Sequence, residues 1–367
     1  MNHKIKLYFS NALFIVVIQF IFSCATYASE LVYLSEDNCS MAHKASSEIN
    51  EAGYVDIGGI KQWITIRGKS CSNPVVLFVH GGPGNPMSLF SEFLYKEWED
   101  KFTIVQWDQR GAGKTYEANQ AAGEITNEIL NESPLTLSLM VNDGLLVTDF
   151  LRKKMDKKSI IITGSSWGSV LAVKMISEKP ELFKFYVGLS QLVNYNRNLL
   201  NSYENVINRV RKSEDQPSIK ILEAIGSPPW KDPRSFGKLR KIINNLEATS
   251  TVDPIVLTAG NEYKSEQYKA AYTSGEDFSF IKFEGLDGNG MAQNIELDKT
   301  DFKFKIPIYI IQGAEDLLTS EAVTEKYFKS IKAPYKKFVV VPKSGHDPNN
   351  RMLKAQLLSL QEGAKKY

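Results

Sequence analysis

The sequence predicts an α/β fold, in which a mostly parallel sheet is flanked by helices and carries an inserted helical cap. Short apolar strands alternate with amphipathic helices up to residue 190, and the same alternation resumes from residue 301. Strands that alternate with helices indicate a parallel sheet wound by right-handed crossovers. We therefore predict a core of residues 53–190 and 301–367, with residues 191–300 as the cap.

The first 28 residues are predicted to be a secretory signal peptide. Lys4 and Lys6 precede an apolar run over 7–22, and small residues follow up to Ala28. A charged start, an apolar middle and a small-residue cleavage region are typical of such leaders, and the run is shorter than the roughly 20 residues of a spanning helix. We expect an exported protein, periplasmic or secreted, with no stable membrane span after leader removal. A lipoprotein-like site at Cys24 is the alternative.

Residues 29–52 are predicted to be a polar N-terminal extension, and they contain one of the two cysteines that remain after leader removal. Cys39 and Cys71 can form a disulfide in an oxidising compartment, or remain two free thiols in a reducing one. The net charge of +2 and the absence of a basic stripe exclude a nucleic-acid partner. The sequence does not predict an oligomeric state.

The predicted strands are defined by β-branched and apolar runs. Gly58 and Gly59 separate two alternating segments and indicate a hairpin with a tight turn. The later strands are continuously apolar, as expected for strands buried on both faces. The predicted strands cover 54–57, 62–66, 74–79, 102–107, 159–162, 183–189, 306–311 and 337–341.

The predicted helices follow from apolar residues at helical spacing. In the core they cover 134–154, 170–176, 320–331 and 350–363. In the cap they cover about 194–212, 235–246 and 261–271. A cap at the carboxyl edge of an open α/β sheet lies where ligands of such sheets bind. We expect it to exclude water and to shape specificity, although no single acid in it is predicted to contact a substrate.

Ser166 is the candidate nucleophile. It lies between Gly164 and Gly168, at the turn from the strand 159–162 to the helix 170–176. Serine at this spacing on a strand-turn-helix unit is typical of a nucleophile elbow, where small neighbours permit a strained bend that exposes the hydroxyl.

The sequence contains two glycine-rich loops near this serine. His80 to Gly84 ends a buried strand, and such a cluster leaves backbone N–H groups free to face a developing negative charge. The loop 108–115 imitates a phosphate-binding P-loop, but Asp108 occupies the position of its first glycine and no clear helix start follows Thr115. We interpret Asp108 and Arg110 as bracing this loop by charge-assisted hydrogen bonds.

His346 is the candidate general base and Asp316 its acidic partner. Of the four histidines, His3 lies in the leader, His43 in the extension and His80 in the glycine loop, which leaves His346. The chain order serine, acid, histidine is that of hydrolases with a nucleophile elbow. Glu315 is the competing acid and Asp347 a weaker one.

The motifs also resemble those of a known family. HGGPG at 80–84, WDQRGAG at 107–113, GSSWGS at 164–169, GAED at 313–316 and SGH at 344–346 resemble the α/β-hydrolase peptidases of the proline iminopeptidase type. The resemblance implies Ser166 as nucleophile, Asp316 as acid and His346 as base. It also implies an oxyanion hole formed by the backbone N–H groups of Gly82 and Trp167. Ser165 stands where family members usually have glycine, and the cap contains no match to the family's amine-binding motif.

The sequence therefore predicts a serine hydrolase. Our first interpretation is an exported aminopeptidase that releases an N-terminal proline or another small residue from peptides through an acyl-enzyme. The alternatives are a carboxylesterase of the same fold and a non-catalytic binding protein that retains the fold. No cofactor or metal is expected, because the chain has no clustered His and Cys residues.

Overall fold

An eight-stranded sheet organises the part of the chain that the computed structural model describes, which comprises residues 31–35, residue 39 and residues 47–367. The signal-peptide prediction and the question of Cys24 lie outside these residues. The strand order is β1-β2-β4-β3-β5-β6-β7-β8. β1 is antiparallel to β2 and β2 to β4, whereas all other neighbours are parallel. The predicted α/β class with a mostly parallel sheet is confirmed.

The strands match the apolar runs to within a few residues, except that β1 starts earlier. Strands β3, β4 and β7 are buried along their whole length, as expected for strands covered by helices on both faces. The strands are β1 Ile49–Ile57, β2 Ile60–Gly68, β3 Val75–Val79, β4 Thr103–Asp108, β5 Ile160–Ser165, β6 Phe183–Leu189, β7 Ile308–Gly313 and β8 Lys336–Val341.

Helices of the core segments cover both faces of this sheet. They are α1 Ser91–Tyr95, α2 Gly113–Asn119, α3 Asn127–Glu132, α4 Leu137–Lys154, α5 Trp167–Glu178, α11 Glu321–Ser330 and α12 Asn350–Lys366. The expectation that no helix begins near Thr115 was wrong, because α2 starts at Gly113 in the tail of the P-loop-like segment. The missing first glycine, at Asp108, remains the argument against a P-loop.

The cap segment 191–300 is helical. Its helices are α6 Tyr195–Lys212, α7 Gln216–Ile225, α8 Arg234–Ser250, α9 Glu266–Glu284 and α10 Leu297–Thr300. Helix α7 was not predicted from the sequence, and in it Leu222 is buried and Ile219 and Ile225 are partly buried against the core. Its start is set locally, since Pro217 lies in the first turn and the Asp215 carboxylate accepts the Ser218 N–H at 3.2 Å.

A disulfide joins Cys39 to Cys71 and decides between the two states that the sequence allowed. It connects the N-terminal extension to the segment that follows β2. The extension also pairs with β1, since Tyr54 exchanges backbone hydrogen bonds with Val32 and Leu34. Among the described helices, none has the length and apolar character needed to cross a membrane.

Candidate active site

Ser166 lies on a sharp turn between β5 and α5. Its φ of 52° and ψ of −122° are unusual for a residue with a side chain and indicate a strained backbone. The flanking glycines are a steric requirement. A Cβ on Gly168 would lie 2.1 Å from the Val79 carbonyl oxygen, and one on Gly164 would lie 2.4 Å from the Gly168 carbonyl oxygen. The strand end, the turn and the helix therefore pack too closely for any larger residue at either position.

The structure brings the three predicted side chains together at the carboxyl ends of β5, β7 and β8. His346 Nε2 lies 3.0 Å from Ser166 Oγ, and His346 Nδ1 lies 3.2 Å from each oxygen of Asp316. With the proton on Nδ1 directed at the carboxylate, Nε2 is free to accept the serine proton. The imidazole is 6% exposed and Asp316 is 4% exposed, so bulk water screens these contacts weakly.

Hydrogen bonds hold the Asp316 carboxylate from several sides. The backbone N–H groups of Leu318 and Thr319 donate to Oδ1 at 2.9 and 2.7 Å. The Thr319 hydroxyl and the Gln312 side-chain amide donate to Oδ2 at 2.7 and 2.9 Å. These donors fix the carboxylate in one orientation and favour its ionised form.

The two competing acids face cap helices instead. Glu315 lies 3.4 Å from the Arg209 guanidinium of α6, and Asp347 lies 2.8 Å from that of Arg240 in α8. Both pairs are partly exposed to solvent. The structure therefore pairs the histidine with Asp316.

The two partners shift each other's pKa in opposite directions. Burial alone would lower the pKa of His346, but the Asp316 charge and hydrogen bond outweigh burial and raise it above 6.5. Burial alone would raise the pKa of Asp316, but His346 and the Thr319 donors outweigh it and lower the pKa below 3.8. The pair therefore favours a carboxylate beside an imidazole that readily accepts a proton.

Gly82 and Trp167 frame the region in front of Ser166. The oxyanion loop is defined here as residues 80–84, and a Cβ on Gly81 would lie 3.4 Å from the Ser166 Cβ. Gly82 has a φ of 107°, a conformation that side chains rarely adopt. Trp167 is the first residue of α5, where helical N–H groups lack intrahelical partners and the helix dipole favours an anion. Within the described chain, neither N–H donates to a protein acceptor.

His80 braces the oxyanion loop. It is buried, and burial lowers its pKa to about 4, so it stays neutral at physiological pH. Its Nδ1 lies 2.8 Å from the Gly81 carbonyl oxygen, and its Nε2 accepts the Gln109 N–H at 3.1 Å. The Gln109 side chain in turn donates to the His80 carbonyl oxygen and accepts the Trp167 indole N–H at 3.0 Å. Gln109, which the sequence did not single out, thus links the two sides of the candidate oxyanion hole.

Asp108 and Arg110 brace their loop as predicted. The Asp108 carboxylate accepts the Lys114 N–H at 2.9 Å, and Arg110 binds the Asp143 carboxylate of α4 at 2.8 Å. Arg110 also donates to the Gly58 carbonyl oxygen at 2.7 Å. These contacts tie the loop to the hairpin turn and to α4.

A buried glutamate of the cap also contacts this site. Glu247 in α8 is 6% exposed, and its carboxylate accepts the backbone N–H groups of Leu317 and His346, both at 2.8 Å. No motif or pattern in the sequence singled out this residue. Among the described residues, no three His, Cys, Asp or Glu side chains cluster in a way that would hold a metal ion.

Comparisons with known proteins identify relatives of this chain. The model of the alpha/beta hydrolase fold family matches residues 74–349. The probable aminopeptidase YbaC of Bacillus subtilis is 27% identical over 312 residues, which cover 80% of this chain and 90% of that protein. The putative proline iminopeptidase of Mycoplasma genitalium is 32% identical over 308 residues, which cover 74% of this chain and 85% of that protein.

The fold of this chain is also similar to that of solved structures. The proline iminopeptidase of Mycobacterium smegmatis superposes with a TM-score of 0.61 at 14% identity, over 85% of this chain and 98% of that chain. At 14% identity, this likeness concerns the fold alone. The match to the family model and the 32% identical relative establish that this chain belongs to the α/β-hydrolase fold family and, within it, to the group resembling proline iminopeptidases.

Proposed function

We propose that this hydrolase acts as a serine aminopeptidase, with Ser166 as nucleophile, His346 as general base and Asp316 as the acid that orients the base. The observation that carries the proposal is the continuous contact from the Ser166 hydroxyl through the imidazole to the buried carboxylate, at 3.0 and 3.2 Å. A hydroxyl is a poor nucleophile near neutral pH, and an imidazole within hydrogen-bond reach supplies the base that it needs.

The reaction follows from these positions. His346 Nε2 takes the Ser166 proton as Oγ attacks the acyl carbon of the substrate. The N–H groups of Gly82 and Trp167 then stabilise the oxyanion, a contribution of about 3–4 kcal/mol for a single donor in other enzymes. The C–N bond breaks as Nε2–H returns the proton to the leaving amine. Water, deprotonated by the same imidazole, attacks the acyl-enzyme. The bond to Ser166 Oγ breaks, Nε2–H returns the proton to Oγ, and the free amino acid is released.

The names of the relatives support an N-terminal residue as the substrate, and one contact in the cap fits that choice. An aminopeptidase has to hold the free amine of its substrate, and a carboxylate serves this purpose. Glu276 of α9 accepts the Asn85 side-chain N–H at 2.7 Å, and its Cα lies 2.9 Å from the position of a Cβ on Gly84. The half-buried Glu276 therefore lies beside the oxyanion loop, and we propose it as the acceptor of the substrate amine.

A pair of matched substrates tests the proposal. We expect turnover of proline β-naphthylamide, no turnover of its N-acetylated form, and loss of activity in Ser166→Ala. Glu276→Gln is expected to raise KM more than it lowers kcat. If only short p-nitrophenyl esters are hydrolysed, the protein is a carboxylesterase and the peptidase assignment is wrong. If a fluorophosphonate does not label Ser166 in folded protein, the non-catalytic alternative replaces both.

We also propose that the protein is exported. The support is the leader-like pattern of residues 1–28, together with a disulfide, a bond that persists mainly in oxidising compartments. N-terminal sequencing of protein from the producing cells tests this. A mature chain that starts near Ser29 is the expected result, and an intact leader on cytoplasmic protein would contradict it.

A further inference from the structure

Glu247 belongs to the cap, yet it contacts both loops that carry the predicted acid and base. We infer that Glu247 is a positioning residue, which holds the Asp316 loop and the His346 loop in the geometry required for proton transfer. This inference rests on the proposed serine-hydrolase function. It assigns to the cap a role in forming the catalytic geometry, in addition to substrate selection.

The contacts are divided evenly between the two loops. Glu247 Oε1 accepts the N–H of Leu317, the residue after Asp316, and Oε2 accepts the N–H of His346 itself. Each distance is 2.8 Å, which is typical of a charge-assisted hydrogen bond. One carboxylate thus connects the loops that follow β7 and β8, at His346 itself and at the residue next to Asp316.

The local sequence of the histidine loop makes room for this carboxylate. A Cβ on Gly345 would lie 2.3 Å from Glu247 Oε2 and 2.8 Å from its Cδ, so no larger residue fits while the contact exists. The need for glycine at position 345 is therefore explained by the space that the Glu247 carboxylate occupies. The neighbouring Arg240–Asp347 pair, also from α8, anchors the same loop one residue further along.

The charge of Glu247 acts on the histidine in addition to its hydrogen bonds. Burial and the negative charge of Asp316 raise the pKa of Glu247 above 4.5, and they outweigh His346 and the two backbone donors, which lower it. The ionised form is the one that accepts both N–H groups. The charged side chains that act on this region are Asp316 from the β7 loop, His346 and Asp347 from the β8 loop, and Arg240 from α8 itself. A carboxylate here stabilises the imidazolium that forms during catalysis, so its removal lowers the pKa of His346.

The test compares Glu247→Gln with Glu223→Gln, a change of the same kind at an exposed cap residue whose carboxylate pairs with Arg211. The side-chain oxygen of a glutamine at 247 can accept one of the two backbone N–H groups. Its NH2 group then faces the second N–H and cannot accept it. We expect the rate of fluorophosphonate labelling of Ser166, and kcat, to fall about tenfold to a hundredfold, with KM nearly unchanged. The acid limb of the labelling-rate pH profile is expected to move to lower pH. Glu223→Gln is expected to match wild type in all three measurements.

Folded Glu247→Gln protein that labels at the wild-type rate, with the acid limb in the wild-type position, would overturn the inference. If this variant does not fold, Gly345→Ala displaces the same carboxylate and is expected to show the same slower labelling and the same shift. Wild-type kinetics in folded Gly345→Ala would equally overturn it.

Labelling also separates this inference from the proposed function. Wild-type protein that labels at Ser166 but leaves proline β-naphthylamide intact refutes the peptidase assignment, while the comparison of labelling rates still decides the role of Glu247. Wild-type protein that does not label at all refutes both.

Discussion

Replacement of Asp316 by asparagine removes one charge from the site with little change of shape. The carboxylate is fully buried and lies 3.2 Å from His346 Nδ1. At this distance and an effective dielectric constant of about 20, it stabilises the imidazolium by about 5 kcal/mol. Since about 1.4 kcal/mol corresponds to a tenfold change in rate, we expect kcat to fall by about 10³ to 10⁴. The asparagine can also present an N–H to Nδ1, which favours the tautomer that cannot accept the serine proton.

The assay measures kcat on the best substrate, normalised to active sites that are titrated with a fluorophosphonate. Glu315→Gln is the matched control, because it neutralises the adjacent acid, which pairs with Arg209 and not with His346. Its kcat is expected to stay within about twofold of wild type, since exposed ion pairs contribute less than about 1 kcal/mol. A decrease of less than tenfold in folded Asp316→Asn, or an equal decrease in the control, would refute the assignment of Asp316.

Three further predictions concern pH, backbone packing and the disulfide. Because the pKa of His346 is raised above 6.5, activity should be full above this pKa and be lost as pH falls through it in a pH profile of kcat/KM. A midpoint below 6.5 would contradict the pairing with the buried carboxylate. Gly168→Ala places a Cβ 2.1 Å from a backbone oxygen of β3 and is expected to abolish soluble folded protein. The control Gly237→Ala, in an open position on α8, is expected to raise the free energy of unfolding in urea by about 1 kcal/mol. Equal stability of the two variants would show that the turn at Ser166 is less tightly packed than described. Reduction of the Cys39–Cys71 disulfide, which spans 32 residues, is expected to lower the free energy of unfolding by about 3–4 kcal/mol and to leave kcat unchanged. A lower kcat in reduced protein that is still folded would contradict this and connect the N-terminal extension to the active site.

The proximity of Ser166 and His346 was predictable because each lies at the end of an apolar strand and within a recognisable motif. Ser166 follows β5 and His346 follows β8, so their proximity follows from the parallel sheet alone. The choice between Glu315 and Asp316 was not predictable from composition. It depends on which carboxylate turns inwards, and the partner of Glu315 is an arginine about a hundred residues earlier in the chain.

The supporting residues could not be found from local pattern. Glu247 lies in an amphipathic helix with no motif, 99 residues before the histidine whose N–H it binds. Gln109 lies within the recognised WDQRGAG segment, but its partners, His80 and Trp167, are set by the packing of three strand ends. Contacts of this kind depend on tertiary structure, and a single sequence contains no signal for them.

The Glu247 contact has a consequence for the engineering and divergence of this family. Inserted segments in such hydrolases are natural targets for exchange between relatives, because they are contiguous in sequence and project from a common sheet. A chimera that keeps the sheet of this protein but receives a foreign insertion without an acid at the position of Glu247 is expected to fold and to bind its new substrate, yet to turn it over slowly. A successful graft would have to carry the glutamate within the new insertion, opposite the glycine that the retained sheet segment already provides before the histidine.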